Sequence, residues 1–269
     1  FTYTEASYVS SEVNLLAPHI TNAPVAMASQ TGDVENEGNY LFVVNGDGSM
    51  GVFITNRAEK VMAWTKYTTS GDILDVAVVE DVVYLYVKRT INSATVYHVE
   101  ALDNSHYTDA SKQVTQSSSA SVSGLAHLNG QECRVRADSA VMANATPSGG
   151  AITLSRAATN IEVGLNFDVT IKTMPSAIAL QSGPVSTKKR RISRVSAQLH
   201  ESSGLKINGK ALPTKSFGAN VLGQAPESFT GIKTLPVLGY SKTAQVTVTQ
   251  TDPLPLTLLG LTLELQVTG

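Results

Sequence analysis

Apolar and polar positions alternate along the first part of the chain with the period of β-strands. Tyr40–Val44 and Met50–Thr55 are rich in β-branched and aromatic residues and flank Asn45-Gly-Asp-Gly48, a hairpin-type turn. Val61–Tyr67, Ile73–Val79, Val82–Arg89 and Thr95–Ala101 follow, separated by Ser70-Gly-Asp72, Glu80-Asp81 and Asn92-Ser93. These are about six strands at spacings near ten residues, with no helix-period segment between them. The pattern predicts an antiparallel meander, propeller-like or sandwich, over residues 1–110. Before it, the apolar cluster ahead of Pro18 reads as a short helix or packed loop, and Ser29–Asn39 as a loop.

Residues 103–123 are polar and end in a serine-rich run, so composition assigns them to a linker or long loop. A second β unit is expected over 111–186, as a small barrel or sandwich inserted into the chain. Its short strands are Leu125–Leu128, Glu132–Ala137, Ser139–Met142, Ala151–Leu154 and Ile161–Leu165, then Phe167–Met174. The third segment, 187–269, offers Ile192–His200, Leu205–Gly209, Gly231–Tyr240 and the cleanly alternating Ala244–Gln250, with Phe217–Phe229 read as a loop. Leu256–Val267 alternates less cleanly, which predicts burial on both faces or at an interface. This segment is expected to form a sheet, and the alternative arrangement packs it back on the first segment and leaves 124–185 as an insertion. The fold class expected is all-β and antiparallel.

Composition narrows the classes of function. The 269 residues include 27 Ser, 28 Thr and 20 Gly, a mixture that suits short strands and turns. Charged residues make up 16%, and hydrophobic residues 42%, too many for a disordered chain. One cysteine excludes an internal disulfide framework and a cysteine-rich zinc module. Five scattered histidines argue against a multi-histidine metal site, and no cofactor is expected. No apolar run is long enough for a membrane helix, and no signal-peptide pattern is present. The sequence starts at Phe1 without an initiator methionine, which reads as a fragment or a processed product. Net charge is −2, unlike a protein that coats nucleic acid. The charge is unevenly placed: residues 1–150 hold 16 acidic and 8 basic side chains (−8), and residues 151–269 hold 6 and 12 (+6). Such asymmetry suits head-to-tail contact or a surface of one sign, and equally two domains with different surfaces.

Few positions carry recognisable chemistry. Asn45-Gly-Asp-Gly-Ser49 opens like a calcium loop but lacks the later ligands, so a hairpin is the better reading. The run Thr187-Lys-Lys-Arg-Arg191, with Arg194 behind it, has no interleaved aromatics for base stacking. Strand alternation sends Lys189 and Arg191 to one face and Lys188, Arg190 and Arg194 to the other. The preferred reading is a face that pairs with acidic residues of another domain or subunit. DNA-backbone contact and a plain solvated surface are the alternatives. Cys133 is a small core residue rather than a nucleophile, and His127 and Asp138 nearby in sequence establish no triad. Asp72, Asp75, Glu80 and Asp81 gather at strand ends, where a glycosidase carboxylate pair would need further support. Trp64, Tyr67, Tyr84, Tyr86, Tyr97 and Tyr107 read mostly as core or cross-strand pairs, with a carbohydrate platform as the alternative. No catalytic residue is assigned.

Several blocks in order resemble the tail nozzle, or tail tubular protein, of short-tailed bacteriophages. They are Val61–Gly71, Asp75–Val79, Val83–Asn92, Tyr97–Leu102, Gly124–Asp138, Ala151–Leu165, Thr170–Met174 and Lys188–Ile192, with Leu15–Ile20 ahead of them. One departure is Asn92-Ser-Ala94, where the family commonly has Asn-Gly; it alters a hairpin turn. Members of that family are usually longer, so the chain looks like the C-terminal part of one. The resemblance implies a structural virion protein of the tail, not an enzyme, that forms a ring of its own copies, typically a hexamer. It implies contact with tail adaptor and tail fibre proteins, closure of the DNA channel before infection and passage of DNA without sequence-specific binding. The host envelope surface is a further partner to expect. On this reading the acidic residues of 1–150 contribute to a negative or neutral lumen, and the basic run of Lys188, Lys189, Arg190, Arg191 and Arg194 faces other subunits. The alternative is a carbohydrate-binding or glycan-cleaving tail component. A third reading, an unrelated adhesin or capsid-decoration module, would behave as a monomer or trimer.

Overall fold

A computed structural model describes the chain except residues 1, 5, 6, 10, 11, 33–37, 57, 177, 178, 181, 182, 185–188, 214–224, 268 and 269. The described residues form two compact units, 1–105 and 106–269. Both are built of antiparallel strands, so the all-β class expected from the sequence is what the structure shows. The segments expected at 111–186 and 187–269 both lie in the second unit. Among the described residues every sheet is open, and none closes into a barrel.

The first unit starts with a small hairpin, β1 (Thr2–Thr4) and β2 (Ser7–Val9). Next come β3 (Pro24–Gln30), β4 (Asn39–Asn45), β5 (Met50–Asn56) and β6 (Val61–Tyr67), paired in sequence order. A second meander holds β7 (Asp72–Val79), β8 (Val82–Ile91) and β9 (Ala94–Ala101). Alternation does the work that the sequence pattern promised. In β8, Val83, Leu85, Val87 and Ile91 are buried while Val82, Tyr84 and Tyr86 face out. Val83, Leu85 and Val87 join Phe42, Val44, Met50, Ile73 and Val76 in one core. The turns follow the sequence too. Glu80-Asp81 and Asn92-Ser93 each hold two consecutive residues at positive φ, the geometry of a two-residue hairpin loop whose twist matches the strands. The cluster before Pro18 is a turn, not a helix. Its Ile20 is buried against Gly51, where a Cβ would lie 3.0 Å from the Ile20 side chain. β3 was not expected. It is a largely exposed edge strand that opens on Pro24, at the first strand position, where the missing N–H costs least.

The second unit has two cores. Its first sheet takes the order β10-β13-β11-β12, from β10 (Asp109–Ser123), β11 (Arg134–Ala137), β12 (Ala140–Val141) and β13 (Ala151–Leu165). β10 corrects the linker reading of 103–123. The serine-rich stretch pairs with β13 through three irregularities, and Gln116 bridges one of them by donating to the carbonyls of Ser119 and Ser121. Only two of its fifteen residues are buried, so its composition resembles a linker although its backbone pairs with β13 at both ends of the strand. Leu125–Leu128 is also corrected, from a strand to a single 3-10 turn over Ala126–Leu128. Leu125 and Leu128 sit three apart, so a 3-10 turn stacks both on the core side, and both are fully buried. The two expected strands at Ala151–Leu154 and Ile161–Leu165 are one, because the polar stretch between them continues the ladder and Ala158 enters the core.

The other core lies between a four-stranded and a three-stranded sheet. The former orders β14 (Val169–Lys172), β21 (Thr247–Gln250), β18 (Lys206–Ile207) and β19 (Lys210–Ala211). The latter is β20-β17-β22, from β17 (Arg190–Ser202), β20 (Phe229–Pro236) and β22 (Thr257–Val267). A short hairpin, β15 (Ala179–Leu180) with β16 (Gly183–Pro184), precedes β17. Ile192, Val195, Ala197 and Leu199 from β17 pack with Leu205, Ile207, Val246 and Val248. β22 is not buried on both faces: its outward residues are exposed, and the break in its alternation is a bulge at Leu259. Of the expected loop Phe217–Phe229, residues 217–224 lie outside the described residues.

Candidate functional site

The basic run is divided by the backbone that carries it. Lys188 lies outside the described residues, and Lys189 is exposed. Arg190 is 5% exposed, inside the unit. It donates from Nε and Nη2 to the Lys242 carbonyl at 2.9 and 2.6 Å, and from Nη1 to the Ser176 carbonyl. Its backbone exchanges two hydrogen bonds with Ser241. A guanidinium held by carbonyls in this way fastens two connecting segments to the start of β17. The Arg191 guanidinium lies over the Tyr240 ring, 5.9 Å from its centre, and its Nε is buried without a hydrogen bond. Arg194 is exposed, with its Nε 3.8 Å from Glu264 on β22.

Simple alternation placed Arg190 and Arg194 on one face, and the structure separates them. A bulge in β17 between Ile192 and Arg194 shifts the register by one residue. Arg190 and Ile192 point inward before it, and Val195, Ala197 and Leu199 after it. Arg194 is thereby turned out. The surface charge left by the described part of the run is that of Lys189, Arg191 and an Arg194 already facing a carboxylate.

The other sequence candidates are dispersed. Asp72 pairs with Lys88 at 3.3 Å, and Asp75 accepts from the Val76 N–H. Glu80 and Asp81 form the turn at the far end of β7, about 25 Å from Asp72 at strand rise. Asp47 caps its own hairpin by accepting from the Ser49 N–H and hydroxyl, which together with Lys66 hold its carboxyl below the usual range. The hairpin reading of Asn45–Ser49 therefore stands. Cys133 is fully buried, and burial, then the Glu132 charge, pushes its thiol up to about 11. His127 is engaged with the Ala110 carbonyl at 3.1 Å. Asp138 accepts from the backbone N–H groups of Asn160 and Thr159, which, ahead of Arg156, hold its carboxyl low. Cys133, His127 and Asp138 are thus each committed to separate local structure. Among the described residues, no three His, Cys, Asp or Glu side chains gather to hold a metal.

Sequence reasoning missed one polar cluster. Glu162 on β13 is 3% exposed and accepts from the Tyr107 N–H at 2.7 Å and the Thr108 hydroxyl at 2.9 Å. Arg136 on β11 pairs with it at 3.7 Å and stacks on the Tyr107 ring at 4.6 Å. Gly164, on the same face two residues along, lets residues 108–109 lie directly on the strand. The available signal was a charged residue and a glycine interleaved in the apolar run Ile161–Leu165. The cluster fastens the entry to the second unit. On the first unit, the exposed face of β8 and β9 carries Tyr84, Tyr86, Tyr97 and Val99. The rings of Tyr86 and Tyr97 are 5.7 Å apart and 14° from parallel.

No protein-family model and no curated relative matches the chain. Solved structures similar to it include an exo-β-1,3-galactanase from Phanerochaete chrysosporium with galactose and a variant of that enzyme with β-1,3-galactotriose. Identity is 14% in both cases, and the matches cover 91% and 90% of this chain. The chain spans 57% and 56% of the length of those enzyme chains. The TM-scores are 0.24 and 0.23, and a likeness at that level carries no argument about fold or chemistry.

Proposed function

We propose that the chain is a structural subunit of the tail nozzle of a short-tailed bacteriophage, one of a ring of copies around the DNA channel. The observation that carries the reading is the correspondence between the resembling blocks and consecutive elements. Val61–Gly71 is β6 and the turn after it, Asp75–Val79 lies in β7, Val83–Asn92 spans β8 and its turn, and Tyr97–Leu102 covers β9. The blocks thus follow four consecutive strands, β6 to β9, rather than scattered matches. The large buried ionic groups also suit a subunit that must hold its shape. Arg89, 2% exposed, grips Glu100 through two bonds of 2.6 Å and ties down Thr69 and Ser70. Within the basic run, Arg190 serves the interior, while Lys189 and Arg194 are exposed. Contacts with adaptor and fibre proteins and the passage of DNA belong to the same proposal.

The test is mass photometry with negative-stain class averages on the protein at micromolar concentration. A ring with a central hole, six-fold on this reading, supports it. A monomer that also fails to join isolated tails refutes it. A second reading, binding of glycans, is favoured by the exposed Tyr86–Tyr97 pair and neighbouring Tyr84, because tyrosine faces stack on sugar rings. Retention on a glycan array that is lost in Tyr86→Ala with Tyr97→Ala would favour it.

A further inference from the structure

We propose that Asn208 is a site of spontaneous covalent modification. The backbone nitrogen of Gly209 attacks its side-chain amide, ammonia leaves, and aspartate or isoaspartate remains in the turn between β18 and β19. The inference is independent of the ring reading. The chain contains three Asn-Gly pairs, at Asn45-Gly46, Asn129-Gly130 and Asn208-Gly209. A glycine after asparagine leaves the attacking nitrogen uncovered by a Cβ, and asparagine is a thermolabile residue. The structure treats the three pairs differently.

Attack needs an unbonded N–H on the glycine and a side-chain amide open to water. Asn45 is buried, and its Nδ2 donates to the Ile20 carbonyl and the Ser49 hydroxyl. The Gly46 N–H is committed to the Ala23 carbonyl at 2.9 Å, so both ends of the reaction are held. Asn129 is half-buried and accepts from the Gly150 N–H at 2.8 Å, and the Gly130 N–H donates to the Pro147 carbonyl at 3.0 Å. Asn208 and Gly209 are both exposed, at φ 48° and 77° in a two-residue turn. Among the described residues neither the Gly209 N–H nor the Asn208 Nδ2 has a partner. A Cβ on Gly209 would meet nothing within 4 Å, so the approach is open. One bond does reach the Asn208 side chain, from the Thr247 N–H to Oδ1 at 2.9 Å. Oδ1 is the atom that gains negative charge as Cγ becomes tetrahedral, so a backbone donor placed there favours the attack.

In the first step solvent takes the proton of the Gly209 N–H and the nitrogen bonds to Cγ. The Cγ–Nδ2 bond breaks, and Nδ2 takes a proton from water and leaves as ammonia. Water then opens the cyclic imide. Opening at the side-chain carbonyl gives aspartate, and opening at the backbone carbonyl gives isoaspartate. Aspartate keeps an oxygen for the Thr247 N–H and adds a negative charge to a hairpin that carries Lys206 and Lys210. Isoaspartate inserts an extra carbon into the main chain of the turn. Ile207, the residue before it, is fully buried and paired with Val248 on β21, so the longer turn strains the pairing of β18.

The test is peptide mapping by mass spectrometry on the whole chain, incubated at mildly alkaline pH both folded and in urea. Conversion of an amide to an acid raises the peptide mass by about 1 Da. In the folded protein Asn208 should convert at least about tenfold faster than Asn45 and Asn129, because at those two a glycine hydrogen bond must break first. A smaller difference overturns the proposal. In urea the three rates should converge, since each pair is then equally open to solvent. A difference that persists in urea assigns the effect to neighbouring residues along the chain and overturns the structural account. Labelling by an isoaspartate-specific methyltransferase reads the second product. Label in the peptide that holds Asn208 supports the proposal, and label confined to the peptides of Asn45 or Asn129 overturns it.

Discussion

Gly164→Ala is expected to destabilise the second unit by an amount that the geometry fixes. Gly164 sits in an extended part of β13 and is absent from the residues with positive φ, so alanine brings no backbone strain. The effect is steric. A Cβ there would lie 2.4 Å from the Thr108 hydroxyl oxygen, 2.6 Å from the Asp109 carbonyl oxygen and 2.8 Å from the Thr108 Cβ. Two of those atoms cannot swing away as a side-chain tip would, so residues 108–109 must rise off the strand. That movement pulls the Tyr107 N–H and the Thr108 hydroxyl from the buried Glu162 carboxylate. Overpacking typically costs about 1–3 kcal/mol, and a buried acceptor left unsatisfied about 1–3 more. The expected total is about 3 to 4 kcal/mol, or a fall in the melting temperature of roughly 10 °C for a unit of this size. Calorimetry measures it, and Trp64 fluorescence serves as an internal control because that residue belongs to the other unit. Thr108→Ala in the same background should recover part of the loss by removing one of the three contacts. A loss below about 0.5 kcal/mol, the usual scale of an indifferent surface change, would refute the claim that the chain is clamped onto Gly164.

Ser93→Gly should stabilise the first unit by about 0.5–1 kcal/mol, since Ser93 holds φ 63° in a two-residue hairpin turn where glycine avoids the Cβ clash; urea unfolding followed at Trp64 reads it. Arg89→Met should cost about 3 kcal/mol by stranding Glu100, and Arg89→Met with Glu100→Met should be less damaging than the single change; a double-mutant cycle in the same assay gives the coupling. Cys133 should resist a thiol-specific disulfide reagent at pH 8 and react at once in denaturant. Because its folded value is raised, the thiol's contribution to stability is complete below its ordinary value of 9.0 and lost as pH climbs toward about 11.

Much of the fold was legible because backbone and side chains agree in the meander. Val61–Tyr67 was read with the bounds that the structure gives, and the strands from Asn39 to Ala101 differ by at most a residue or two at their ends. Strong alternation and turn residues of the right type leave few competing registers there. The sequence was least informative where a strand needs its partner to exist. β10 has little apolar content of its own, and β13 supplies its hydrogen bonds across interruptions that composition cannot show. Leu125 and Leu128 fit a strand or a 3-10 turn equally well over four residues, and the core on one side decided between them. The Glu162 cluster was out of reach for the same reason, since its partners at 107 and 108 are more than fifty residues away along the chain.

The basic run shows how far a charge pattern can be taken. Read as letters, Lys188 to Arg194 is a single cationic feature, and any of three roles fits it. One extra residue in β17 changes its meaning, because a bulge reverses which side chains face inward from that point on. Arg190 then needs acceptors in the interior and finds them in the carbonyls of Ser176 and Lys242. Arg194, turned outward by the same bulge, neutralises Glu264, the only charge on β22. The bulge thereby does two things at once. It converts one member of the run into an internal fastening, and it sets another against a carboxylate on the neighbouring strand. Pairing with an acidic group, one of the three roles the letters allowed, is what Arg194 does, and its partner lies within its own sheet.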